Sequence, residues 1–168
     1  MKKITTKDVK KDPTNKILIL KAIENDPYAI EFASTELKND KEVVLKAVNL
    51  NGFTIKFAST NLKYDMEVAK TALQSKTYAL EFVGDNIKKN KEVVLLVVKN
   101  DGLALQFADS SLFHDKDIIL AAVKNMGLAL EYADANIKKD RAIVMEAVKS
   151  EGASLKFADS LLCNDPEI

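Results

Sequence analysis

Apolar positions along this chain follow one helical spacing that stops and restarts. Val43, Val44, Ala47 and Val48 recur as i, i+1, i+4, i+5, the pattern of one helical face. Asp40 stands just before them and is a good N-cap, because its carboxylate can accept from the free amides of a first turn. Glu42 adds negative charge at the positive end of the helix dipole. Gly52 follows, a residue able to take the left-handed conformation that closes a helix. The spacing predicts a helix, A, of about three turns. After the glycine, Phe53, Ile55, Phe57 and Ala58 point nearly all round a wheel, with Lys56 the clear outward position. That pattern predicts a second helix, B, buried on almost every side, with Phe107 as its buried aromatic in a central repeat. Leu62 stays on the same face if B continues and Asn61 does not, so the tail reads as a looser turn. Alternating β patterns of useful length are absent.

The same text repeats. The aromatics Phe32, Phe57, Phe82, Phe107, Tyr132 and Phe157 are each 25 residues apart. Asp40, Asp65, Asn90, Asp115, Asp140 and Asp165 keep that step, as do Gly52, Gly102, Gly127 and Gly152. Three markers in one period without insertion identify a repeat array. One A/B pair cannot bury its own apolar face, whereas stacked copies share a continuous core. The expected fold is therefore all-α: an α-solenoid of about six 25-residue antiparallel helix pairs in a single domain, 1–168. Repeats start near residues 15, 40, 65, 90, 115 and 140, with a partial one at 165. A closed helical bundle is the weaker alternative, since nothing in it needs an uninterrupted step.

The recurring Asp-Lys-Glu-Val-Val-Leu, Ala-Val and Gly-x-Ala-Leu-x-Phe/Tyr-Ala-Ser/Asp segments resemble a known repeat family, domain of unknown function four-one-one-six. Lys89-Asn90-Lys91-Glu92-Val93-Val94-Leu95 followed by Gly102-Leu103-Ala104-Leu105-Gln106-Phe107-Ala108 is the clearest instance. The resemblance covers nearly the whole chain. It implies a helical repeat fold. The family occurs in bacteria, protists and large viruses, often in arrays beside other domains, and the resemblance carries no settled activity with it.

Some repeats depart from the pattern. Pro27 stands in the glycine position and cannot take a positive φ, so Asp26-Pro27 reads as N-cap and first residue of helix B. In the third repeat Thr77 replaces glycine, Lys70 replaces a leucine and Val83-Gly84 replaces Ala-Ser/Asp. A binding notch is one reading of that set; an irregular turn with Lys70 snorkelling from the apolar edge is the favoured one. Asp165-Pro166-Glu167 reads as the opening of another helix A, and a fragment of a longer array is the favoured reading of that end.

Composition narrows the chemistry. The 168 residues carry 25 Lys+Arg against 25 Asp+Glu, a balance that argues against a general nucleic-acid binder. No apolar stretch approaches the ~20 residues of a membrane span, and Met1–Pro13 lacks a signal-peptide core. A cytoplasmic setting is the default, with secretion by a signal-free route left open. Cys163 is the single cysteine and His114 the single histidine, which excludes an intramolecular disulfide and any site built on two histidines. His114 precedes the Asp115 cap and reads as a solvated turn residue, and Cys163 as a spectator thiol. No phosphate-binding glycine motif is present. Asp109, Asp134 and Asp159 form an acidic column, but neighbouring repeats are ~8–10 Å apart, too far for one cation that needs oxygens at ~2.3–2.6 Å.

These features predict no catalytic, metal or cofactor residues. The expectation is a non-enzymatic protein-interaction or scaffolding module. The alternative is a passive spacer or targeting array within a larger effector-like protein. Lys99, Lys124 and Lys149 form a column on the outward face of helix A. Lys21 and Lys46 lie one turn away in the early repeats, and Leu96 takes that place in the fourth. Leu96, Lys99, Lys124 and Lys149 are the candidate interaction strip, suited to an acidic peptide or an acidic protein surface. A merely solvating face is the competing reading.

Overall fold

A computed structural model describes residues 4–168, and every regular element in them is helical. Six ten-residue α-helices occupy the A positions: Lys16–Asn25, Lys41–Leu50, Met66–Ser75, Lys91–Asn100, Lys116–Asn125 and Arg141–Ser150. Each begins where a capping side chain was expected. Asp40, Asp65, Asp115 and Asp140 accept from two first-turn amides each, and Asn15 and Asn90 from one. A short helix, Thr6–Lys11, precedes the first repeat and buries Val9.

Helix B differs from expectation. It is a six-residue 3₁₀ helix in every repeat: Pro27–Phe32, Gly52–Phe57, Thr77–Phe82, Gly102–Phe107, Gly127–Tyr132 and Gly152–Phe157. With three residues per turn, positions i and i+3 eclipse, so the element has three edges and cannot be buried all round. Ile55 and Ala58 share the inner edge and are buried, whereas Phe53 and Lys56 share the outer edge, half-buried and exposed. Thr54 and Phe57 lie between, the small side chain buried and the ring half-buried. Phe107 is likewise half-buried, and the deeply buried residues beside it are Ala104 and Leu105. A separate helical turn completes each repeat (Thr35–Lys38, Thr60–Lys63, Asp85–Lys88, Ser110–Leu112, Ile137–Lys139 and Ser160–Cys163), so a repeat holds three helical pieces rather than a pair. Asp26-Pro27 behaves as read: Asp26 accepts from the Tyr28 amide and proline opens the 3₁₀ helix.

The glycines also act differently from expectation. No glycine has a positive φ among the described residues. Gly52, Gly102 and Gly127 instead open the 3₁₀ helices, where a Cβ would overlap the carbonyl oxygen of Ala72, Ala122 or Ala147 in the next repeat's A helix. Only glycine lets the two backbones approach so closely. The freed amides are used: Gly52 N–H donates to Ser75 Oγ at 3.1 Å and Gly102 N–H to Asn125 Oδ1 at 2.8 Å. In the third repeat Gly84 lies against the Tyr64 ring, which a Cβ there would overlap. Lys70 is exposed.

The chain forms two compact bodies, Met1–Ile87 and Lys88–Ile168, each a stack of helical repeats of the α-solenoid type. In the first, Ile19, Ile23, Ile30, Val43, Val44, Ile55, Val68 and Leu80 form a fully buried core. In the second, Leu105, Ile118, Ile119, Val123, Leu130 and Val144 do the same. Backbone hydrogen bonds of 2.8–3.1 Å tie each repeat to the last turn of the one before, as in Ser59 N–H to Lys38 O and Asp134 N–H to Phe113 O.

Candidate functional site

The first turn of each A helix carries a ladder that the sequence reading did not anticipate. Lys16 Nζ lies 2.7 Å from Asp40 and 2.8 Å from Glu42, and Lys41 Nζ lies 2.8 Å from both Asp65 and Glu67. Lys91 bridges Asp115 and Asp117, Lys116 pairs with Asp140, and Arg141 with Asp165 and Glu167. Each capping aspartate therefore closes its own helix with one oxygen and holds the preceding repeat's cation with the other. The Lys41 and Lys116 ammonium groups hold the Asp65 and Asp140 carboxyls below the ordinary value, with first-turn amides adding to the effect. At Asp40 and Asp115 partial burial pushes the other way, and the lysine and amides outweigh it. The signal was available: a cation at the first A position and an acid 24 residues later. Residue 66, at the same position in repeat 3, is Met and carries no charge.

The acidic column has a structural role. Asp134 accepts from Ile137 N–H, the first amide of the third piece in repeat 5, and Asp109 accepts from Ser111 N–H and Asp159 from Leu161 N–H, capping the third piece of repeats 4 and 6. Ser34 and Ser59 do the same in repeats 1 and 2. Among the described residues no group of three or more His, Cys, Asp or Glu could hold a metal ion. His114 is exposed. Cys163 is exposed and donates to the Leu155 carbonyl at 3.2 Å. No helix among the described residues is long and apolar enough to cross a membrane.

Lys99, Lys124 and Lys149 lie in the last turns of three successive A helices of the second body, all exposed. Lys99 and Lys124 line one open groove of about 630 Å³, with Leu95, Leu120 and Ala121. Lys124 and Lys149 line the next, of about 570 Å³, with Leu120 and Met145. Leu96 is 53% exposed and lines neither. The structure thus groups the three lysines and adds a half-buried apolar row that the sequence reading missed: Leu95, Leu120 and Met145. Following the 25-residue step from Leu20 and Leu45 would have found it. Lys149 pairs with Glu146 at 3.2 Å, while no carboxylate pairs with Lys99 or Lys124 among the described residues.

A cation in the last helical turn is worth ~0.3–1 kcal/mol against the dipole, and that alone could account for a lysine there. The first body answers the point. Its equivalent positions hold Glu24, Asn49 and Gln74, and none of its A helices has a basic residue in the last turn. The A helix forms without the cation, so the fold does not require the lysine row.

This geometry defines a helical repeat protein built from one 25-residue module, with an outward row of three lysines on one body, the last of them paired with Glu146. The chain belongs to the family described as Domain of unknown function (DUF4116), whose model matches residues 15–63, 65–113 and 90–138. Comparison with curated proteins found no match, and comparison with solved structures found none.

Proposed function

We propose that this protein is a non-enzymatic protein-interaction module whose binding face is the outward surface of the second body's A helices. Lys99, Lys124 and Lys149 carry the attraction, Leu96 adds an exposed apolar contact, and the partner is an acidic peptide or acidic protein surface. The observation that carries this reading is the contrast at one structural position: Lys in repeats 4–6, and Glu24, Asn49 and Gln74 in repeats 1–3. A row of lysines on a chain of zero net charge is a local feature, and local charge governs partner choice and association rate. A nucleic-acid surface suits it less well, since Asp117, Asp140 and Glu146 line the same grooves.

The test is capture with the whole chain as bait, compared with a variant carrying Lys99→Glu, Lys124→Glu and Lys149→Glu. A saturable acidic partner is expected for the first and lost for the second, with association slowed by added salt. Absence of any saturable partner would favour a spacer array instead.

A further inference from the structure

Two aromatic pairs of the first body share one geometry and differ in one charge. Tyr28 and Phe57 meet edge-on, with ring centres 6.1 Å apart and planes at 82°, and Phe53 and Phe82 meet the same way at 6.4 Å and 83°. The second pair is the first moved on by one 25-residue step. Lys56 lies over the first pair, its Nζ 4.9 Å from the centre of the Phe57 ring and 5.5 Å from that of Tyr28. Both distances fall within the ~6 Å over which the negative face of an aromatic ring attracts a cation. One step on from Lys56 the residue is Glu81.

Glu81 cannot do what Lys56 does, because the ring face that attracts an ammonium repels a carboxylate. It is exposed, and among the described residues no Lys or Arg pairs with it. Phe53 and Phe82 are half-buried, and among the described residues no cation lies over either ring. Other rings of the chain carry one. Lys156 Nζ lies 4.7 Å from the centre of Phe157, and Lys10 Nζ 4.1 Å from that of Phe32. Lys10 belongs to the separate helix Thr6–Lys11, so the cation need not come from the ring's own element.

We infer that Phe53, Phe82 and Glu81 form a site for the side chain of an arginine on a partner polypeptide. The guanidinium lies against the rings and donates to the Glu81 carboxylate. Arginine suits both contacts, because its planar, weakly hydrated cation stacks on aromatic faces and its donor fork matches a carboxylate, whereas a lysine ammonium is a strongly hydrated point charge. The site uses none of the residues of the lysine face proposed above and takes a group of the opposite sign.

The experiment titrates the whole chain, its phenylalanine rings isotope-labelled, with the tripeptide acetyl-Gly-Arg-Gly-amide and follows the ring resonances by NMR. A second tripeptide carries citrulline, which keeps the shape of arginine without its charge. The arginine peptide is expected to move the Phe53 and Phe82 resonances saturably, the citrulline peptide to leave them, and Phe57 to stay unmoved because Lys56 fills its pair. Glu81→Gln should weaken binding by up to about fivefold, the scale of an exposed ion pair. Two charge swaps at exposed positions complete the test, with circular dichroism establishing that each variant folds. Glu81→Lys gives the second pair the internal cation of the first and should abolish the response at Phe53 and Phe82. Lys56→Glu should open the first pair and bring in a response at Phe57.

No saturable shift at Phe53 and Phe82, an equal shift with the citrulline peptide, or an undiminished response in Glu81→Lys would each overturn the inference. So would silence at Phe57 in Lys56→Glu, since it would show that the edge-on pair does not make the site. Equal responses at Phe57 and Phe82 in the unaltered chain would overturn it as well, by showing that the charge at this position does not decide occupancy.

Discussion

The two bodies share one buried face and differ on what they show to water. In both, the 3₁₀ helices bury a small residue followed by a branched one: Ala29-Ile30, Thr54-Ile55 and Ala79-Leu80 in the first, Ala104-Leu105 and Ala129-Leu130 in the second. In both, the A helices bury the same four-position stripe, as at Val43, Val44, Ala47 and Val48 or Ile118, Ile119, Ala122 and Val123. Outside that core they diverge. The first body sets Tyr28, Phe53 and Tyr78 on the outer edge of its 3₁₀ helices, where the second has Leu103, Leu128 and Ala153. Tyr28 meets Phe57 edge-on with ring centres 6.1 Å apart, and Phe53 meets Phe82 at 6.4 Å. The second body has the lysine row instead. Positions that stay the same across repeats are therefore those the stacking needs, and positions that change by body are free to serve a surface.

The strongest way to break this comparison is to cut the shared core. Ile55→Ala and Leu105→Ala truncate the buried branched side chain at the equivalent position of the two bodies, and each should cost ~2–5 kcal/mol in urea unfolding. A loss below ~1 kcal/mol in one body alone would mean that the two bodies do not rely on this position alike. Next come the glycines. Gly102→Ala drives a methyl into the Ala122 carbonyl and should cost ~1–3 kcal/mol or more. Gly152→Ala meets no atom within 4 Å and should stay within ~0.5 kcal/mol. Equal effects would show that the glycine position matters for backbone freedom and not for close approach.

A smaller effect tests the aromatic edge. A double-mutant cycle on Phe53 and Phe82 should return a coupling of ~0.5–1.5 kcal/mol, and one on Leu103 and Tyr132 clearly less. Comparable couplings would remove the aromatic distinction between the bodies. The pH response comes last and should be common to both. Asp40, Asp65, Asp115 and Asp140 are all held below the ordinary carboxyl value. Unfolded carboxyls take up protons near ~3.9, before the folded ones do. The ladder's contribution is therefore present above about pH 4 and is lost as pH falls through the depressed folded values. Melting temperature followed from neutral pH to about pH 3 should fall less steeply in Asp65→Asn and Asp140→Asn, because those variants no longer have that titration to lose.

The repeat, its caps and its buried A stripe were legible because each rests on a local rule: a carboxylate beside free amides at Asp40, or a 3.6-residue spacing from Val43 to Val48. The inner element was not. Phe53, Ile55, Phe57 and Ala58 are too few to distinguish three residues per turn from 3.6, and apolarity all round was read as burial all round. Gly52 was misread because a glycine at a helix end more often signals a left-handed turn than a neighbouring backbone, and only the position of Ala72 decides between them. The Lys16–Asp40 contact was written in the period but lies between repeats, where a reading of one repeat at a time does not look. Of the candidate strip, the lysines were legible as a column; the Leu95, Leu120 and Met145 row beneath them was hidden because half-buried residues look like core in a sequence.

The close approach of Gly52, Gly102 and Gly127 to the following alanine carbonyl has a consequence for how such an array changes over time. The contact joins main chain to main chain, so it requires glycine at one position and leaves the outward-facing side chains of the two neighbours unconstrained. Repeats joined in that way can differ on their outer surfaces and still meet their neighbours through the same backbone contact. The family matches at 65–113 and 90–138 overlap, so residues 90–113 fit the trailing half of one match and the leading half of the other. Outer surfaces can then drift repeat by repeat, as the lysine row has, under a joint that does not register the change.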